Sequence, residues 1–219
     1  MKKTVFVVAV AGLAGVAFAE PPEGDVFVEV VNGEFRTGLI SEDGLTIDRT
    51  VRVHYAPLGL DVPNEIDEPG FQGEAGGLGS LAEFSFSFTK ALRQWNGTDF
   101  STVSPLSMST VFGPASATTP ATDVLTPGLT FANEPTGAHD HPTWVLNAPA
   151  TDGIYLMEIV FSGAGVQNSQ PVWMLFSQNA TAAEVDAAYD WATASIPTPG
   201  VVGLLGAAGV LVARRRRQG

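Results

Sequence analysis

Three histidines are the residues of this chain best suited to chemistry, and two of them form the unit His139-Asp140-His141. In an extended segment residues i and i+2 project to the same side. An H-x-H unit therefore presents two imidazoles together, a usual half of a zinc or other first-row metal site. The third, His54, lies in Val51-Arg52-Val53-His54-Tyr55. That alternation puts Val51, Val53 and Tyr55 on one face and Arg52 and His54 on the other. If the polar face meets the His139–His141 segment, a three-histidine site for one divalent metal closes, with zinc the first choice. Asp140 points away in this geometry, so a further ligand comes from elsewhere, with Asp25 at the start of the first strand and Glu34 as candidates. The spacing also suits a blander reading, in which His139 and His141 are solvated, because Asn133-Glu134-Pro135-Thr136-Gly137 before them is plainly loop.

Other chemistry finds less support. The chain has no cysteine, which excludes thiolate metal sites, cysteine nucleophiles and disulfides. A G-x-S-x-G elbow is missing, and Gly163-Ala164-Gly165 lacks the lysine of a phosphate loop. Asp61 with Glu65 offers a carboxylate pair of the glycosidase kind. Acids in Gly/Pro loops more often face water or hold calcium, and Asp61, Glu65, Asp67 and Glu68 lack the EF-hand pattern. The chain is read as a non-enzyme, with a secreted hydrolase the weakest alternative. Trp144 and Trp173 sit in apolar strand contexts and read as core; Trp95, beside Asn96-Gly97, reads as the exposed aromatic.

The elements that must position these residues read as β. Val26–Val31 is strand-like, Asn32-Gly33 is a hairpin turn signal and Phe35–Ile40 is the return strand. Phe84, Phe86 and Phe88 alternate with serines as in a half-buried strand. Ile154–Phe161 and Val172–Phe176 are continuous apolar runs, as central strands are. Pro57–Ser80 is a long loop carrying Asp61, Glu65, Asp67 and Glu68 followed by five glycines, a length that is usually functional or partly mobile. Gly113–Pro127, rich in Ala, Thr and Pro, reads as a second loose stretch. One helix is expected near Ala182–Ala194: Thr181-Ala182-Ala183-Glu184 is a capping box, and Val185, Ala188, Tyr189 and Ala192 follow at helical spacing. The predicted fold is mainly β, an antiparallel sandwich-like domain with one short C-terminal helix.

Both ends read as sorting segments. Lys2 and Lys3 precede the apolar stretch Val5–Phe18, and Ala17-Phe18-Ala19 fits small-x-small cleavage, so residues 1–19 read as a signal peptide. At the other end, Pro197-Thr198-Pro199 leads into an uncharged run of Gly, Ala, Val and Leu. The basic stop Arg214, Arg215, Arg216 and Arg217 follows. The 18 residues from Ile196 to Ala213 just suffice for a transmembrane helix, with the arginines on the cytoplasmic side. Residues 20–195 are then the β-rich extracytoplasmic domain and residues 196–219 the tail. That domain carries 5 basic residues against 23 acidic, a net charge of −18, which excludes nucleic acid as a partner.

Pro197-Thr198-Pro199-Gly200, the Gly/Leu run and the arginines resemble the PEP-CTERM sorting signal of bacterial exported proteins, with Thr198 where the name-giving signal has Glu. The resemblance implies an exosortase-type sorting enzyme as partner. It also implies an inner-membrane intermediate anchored by the tail, then delivery to the cell surface or extracellular matrix. His139-x-His141-x-x-Trp144, followed by Gly153-x-Tyr155-x-Met157, is similar to a segment of bacterial surface-anchored domains encoded with metal transporters. It is also similar to a segment of PEP-CTERM proteins repressed by the zinc-uptake regulator. It implies a single metal site here, since three histidines are too few for metal storage. A structural or adhesive matrix protein without a metal site is the alternative.

Overall fold

The computed structural model describes residues 21–196. Ala17 and Ala19 of the signal cleavage, and Pro197, Thr198, Pro199 and Arg214–Arg217 of the sorting motif, lie outside the described residues. Among the described residues, no helix is long and apolar enough to cross a membrane.

The elements in chain order are β1 (Asp25–Val31), β2 (Glu34–Ile40), β3 (Ile47–Asp48), β4 (Val53–Pro57), β5 (Glu65–Ile66), β6 (Phe71–Gln72), β7 (Glu83–Phe88) and β8 (Arg93–Gln94). There follow β9 (Thr102–Val103), β10 (Met108–Phe112), β11 (Ala115–Thr118), β12 (Thr126–Ala132), β13 (His139–Asp140), β14 (Thr143–Leu146), β15 (Gly153–Ser162), β16 (Val172–Gln178) and α1 (Ala182–Ser195). The strands form three sheets. Five strands run β13-β6-β1-β2-β3, four run β11-β10-β14-β5, and a seven-stranded sheet follows the path β12-β7-β15-β16-β4 with β8 and β9 attached.

The architecture is sandwich-like because one apolar core joins all three sheets. Val26, Phe35 and Phe71 from the first, Met108 and Trp144 from the second, and Phe86, Phe131 and Phe161 from the third share it. Phe71 sits at its centre, edge-on to Phe131, Trp144 and Phe161 with ring centroids 5.2, 6.0 and 5.1 Å away. Edge-to-face packing of this kind adds to the burial of the rings themselves. The alternation of Phe84, Phe86 and Phe88 is as expected: all three are buried and the intervening serines are not.

A second, smaller core lies on the outer face of the seven-stranded sheet, where α1 packs. Val185, Ala188 and Ala192 of the helix meet Val53, Leu156, Trp173 and Leu175. The helix starts on the expected capping box, with Thr181 and Glu184 each satisfying the other's backbone N–H. Thr181→Ala should cost about 1 kcal/mol, a fall in melting temperature of about 2–4 °C. No measurable loss would show that α1 is held by its packing alone.

The stretch Gly113–Pro127 is not loose. Gly113-Pro114 forms a turn between β10 and β11, and β12 begins at Thr126. The sequence Ala115–Thr118 has small side chains and no apolar alternation, so it carries no strand signal. β12 contains Pro127 and Gly128, which argue against a strand. It is nevertheless the end strand of its sheet, where proline is tolerated, and its register breaks between Pro127 and Thr130.

Candidate metal centre

The site is assembled by the first sheet. β13 pairs with β6 so that His139 lies opposite Gln72, and β6 runs parallel to β1 with Val26 opposite Phe71. The β13-β6-β1 ladder therefore carries Asp25, the first residue of β1, to the histidines. Gly73 N–H donates to Ala138 O at 2.9 Å, fastening the strand that leads into His139. Gly137 makes that approach feasible: its φ is +102°, and a Cβ there would stand 2.4 Å from Gly73 O.

Asp25, His139 and His141 offer three ligand atoms that all lie within 4.8 Å of one another. Nε2 of His141 is 2.9 Å from Nε2 of His139. Asp25 Oδ2 is 3.3 Å from His139 Nε2 and 3.7 Å from His141 Nε2. Metal–ligand bonds of about 2.0–2.1 Å in a tetrahedron place ligand atoms ~3.3–3.4 Å apart. The three separations bracket that value, so one small dication fits between these atoms with shifts of a few tenths of an ångström. Two imidazoles and one carboxylate suit a first-row metal such as zinc better than calcium, which takes oxygen ligands.

The surroundings orient the ligands. Nδ1 of His141 faces the main-chain oxygen of Asp67 at 3.2 Å and Glu68 Oε1 at 3.3 Å. Both are acceptors, so the proton belongs on Nδ1 and the Nε2 lone pair is left for a metal, the carboxylate–histidine–metal arrangement. Gly70 N–H donates to Asp25 Oδ1 at 2.8 Å and also to Glu68 Oε2 at 3.2 Å. Asp25 is thereby pinned through one oxygen while the other turns to the histidines. The indole N–H of Trp144, a fully buried residue, donates to Pro69 O at 3.1 Å. The tryptophan of H-x-H-x-x-W thus fixes the turn that carries Glu68 and Gly70.

The charge balance also favours a cation. Burial, then the neighbouring Asp25 carboxylate, push Glu68 up to about 7, while His141 pulls the other way. Burial likewise raises Asp140. The side chains of Asp25, His141 and His139 are 9%, 32% and 58% exposed, so the cluster rests on a buried carboxylate and opens to solvent at His139.

The third histidine is elsewhere. His54 is not in this cluster; it lies in β4, at the end of the seven-stranded sheet, opposite Met174 of β16. It is 1% exposed, and neither ring nitrogen has a hydrogen-bond partner among the described residues. The expected three-histidine site closes with Asp25 in place of His54. The reason is that β4 has no solvent face. Val53 and Tyr55 pack under α1, and the opposite face, with Ala56, joins the main core. Arg52 and His54 are both buried, so polar alternation here did not mark the outside of the protein.

Of the two further ligands considered, Asp25 is present and Glu34 is not. Glu34 pairs with Val31 at the opposite end of the β1–β2 hairpin and bonds Arg36 at 2.7 Å. From sequence, Asp67 and Glu68 read only as loop acids facing water or holding calcium, not as neighbours of the histidines, and Gly70 was not singled out, although the length of the Pro57–Ser80 loop was a signal for them. Trp95 is not an exposed platform; it packs on Phe100 and Trp191 at 5.1 and 6.3 Å.

Gly70 gives a direct test of this geometry. A Cβ there would lie 2.8 Å from Asp25 Oδ1 and 2.8 Å from His141 Nδ1, so the two ligands and an alanine cannot all keep their places. Gly70→Ala should weaken metal binding by about tenfold or more, the usual cost of disturbing the groups that orient ligands. Unchanged affinity in a metal titration would show that Gly70 does not shape the site.

No family model, no curated protein and no solved structure matches this chain.

Proposed function

We propose that this is an exported, surface-sorted protein whose β-rich body binds one divalent first-row metal ion, zinc first, outside the cytoplasm. The carrying observation is the convergence of Asp25 Oδ2, His139 Nε2 and His141 Nε2, with His141 Nδ1 already engaged by Asp67 and Glu68. The proposed role is binding rather than catalysis. One site per chain suits capture or display of an ion, not bulk storage. A net charge of −18 over residues 20–195 adds a long-range attraction for cations.

Export rests on the sequence signals at Lys2–Ala19 and Pro197–Arg217, and the exosortase-type enzyme is the proposed sorting partner. Metal binding is tested by equilibrium dialysis of the purified protein, with one zinc per chain expected. Protons compete with metal for the same imidazole nitrogens, so affinity should fall at least about tenfold between pH 7.5 and pH 5.5. A chain that retains no zinc at pH 7.5 would leave the matrix-protein reading standing. Export is tested separately by cell fractionation, and a wholly cytoplasmic location would overturn it.

A further inference from the structure

Two cavities lie along α1 on the outer face of the seven-stranded sheet, where the helix faces β8. The first, of about 560 Å³, is bounded by Trp95, Asp152, Asn179 and the first two turns of α1. The second, of about 250 Å³, is bounded by Phe100, Trp173 and Trp191. They meet at one aromatic cluster: Trp95 lies 5.1 Å from Phe100 and 6.3 Å from Trp191, and those two are 5.6 Å apart. Together they reach the size of ligand-binding clefts. We propose that this cleft binds a neutral oligosaccharide with equatorial hydroxyls, its rings against the aromatic wall and its hydroxyls on the polar groups around it.

The helix sequence shapes the cleft. Ala183, Ala187 and Trp191 recur every four residues, so they share one face of α1. The two alanines are exposed and leave the first cavity open, while Trp191 walls the second. From Ala183 to Trp191 the helix rises about 12 Å, the length of about two linked hexose rings. Trp95 and Trp191 are half-buried, so each keeps part of its ring turned to the cleft. Their electron-rich faces attract the C–H groups of a sugar ring. A ring with only equatorial hydroxyls presents those C–H groups without an oxygen standing between.

The polar groups are held in advance, so they lose little freedom on binding. Glu158 Oε2 accepts from Trp173 Nε1 at 2.6 Å and from Lys90 Nζ at 2.9 Å, which fixes both at the second cavity. Arg93 there is paired with Asp123. In the first cavity Asp152 Oδ1 accepts from Asn179 Nδ2 at 2.8 Å, and Glu184 Oε2 closes the capping box on Thr181. Each of these carboxylates keeps its second oxygen for a hydroxyl. The charges select a neutral ligand. An anion meets Asp152 and Glu184 in the first cavity, which has no lysine or arginine among its described lining residues. A cation meets Lys90 and Arg93 in the second.

Calorimetric titration of the full-length chain tests the proposal with cellotetraose and with tetragalacturonate. A chelator is present, so the metal centre plays no part. Cellotetraose should bind with a change in tryptophan fluorescence, and at least about tenfold more tightly than tetragalacturonate, whose carboxylates face like charges. Tetramethylammonium should not displace it. Asp152→Ala changes an exposed side chain and should weaken cellotetraose binding about tenfold. Ala187→Phe, at an exposed position of α1, should fill the first cavity and abolish binding. Absence of cellotetraose binding at millimolar concentration would overturn the proposal. So would tetragalacturonate binding equally well, displacement by tetramethylammonium, or cellotetraose affinity that survives both substitutions.

Discussion

Zinc at a free concentration one hundred times its dissociation constant should raise the melting temperature of this protein by about 5–11 °C. A ligand that binds only the folded state stabilises it by about 2.7 kcal/mol at that excess, and each kcal/mol moves a domain of this size by about 2–4 °C. Binding is confined to the folded state because Asp25 comes from β1 while His139 and His141 come from beyond β12, more than a hundred residues later. Only the β13-β6-β1 ladder gathers them. The His139→Ala, His141→Ala double variant should lose the whole shift. Asp25→Asn, which can still accept from Gly70 N–H but brings no charge, should lose part of it. His54→Leu should keep all of it, since His54 lies outside the cluster. Differential scanning calorimetry at pH 7.5 with and without zinc decides the matter. A wild type that does not shift, or a double variant that shifts equally, removes the site.

The second large effect is a pH dependence set by His54. Burial holds this imidazole down to about 3, against about 6.5 when the chain is unfolded. Between those values the unfolded chain takes up a proton and the folded chain does not. Stability contributed by the neutral buried ring is therefore complete above pH 6.5 and is lost progressively as pH falls toward 3. At pH 5 the loss is about 2 kcal/mol, or about 4–8 °C in melting temperature. Glu68 works against this trend: its raised value means that acidification relieves its buried charge, an effect weakened because the group is half exposed. Comparing wild type with His54→Leu in the presence of a chelator cancels Glu68 and isolates His54. The variant should match or exceed the wild type at pH 7.5, because two unpartnered buried nitrogens are removed. It should gain a further 4–8 °C on it by pH 5. Melting curves that stay parallel across this range would mean that His54 is not buried as described.

The long elements and their order were legible in the amino-acid pattern. Phe84–Phe88 alternates with period two, Ile154–Phe161 and Val172–Phe176 are continuous apolar runs, and Thr181–Glu184 announces the helix, because burial on one face or two leaves a periodic trace. β11 and β12 were not legible. One has only small side chains, and the other carries a proline and a glycine that an end strand can absorb.

The site divides in the same way. That His139 and His141 act as a pair follows from their spacing alone, since an i, i+2 relation in extended chain fixes their common side, and Asp25 stood among the ligands considered. The exchange of His54 for Asp25 was a tertiary decision. It depended on which face of β4 turns to the main core: Val53 and Tyr55 pack under α1, far away in sequence, so His54 turns inward on the same face as Ala56. The roles of Glu68 and Gly70 were decided at the same level. A Gly/Pro loop has no period to read, and its place became defined only when β6 paired with β1 and β13, and Trp144 fastened Pro69. Sequence determined which groups can bond a metal and which local shapes present them. Long-range strand pairing and burial decided which of those groups meet.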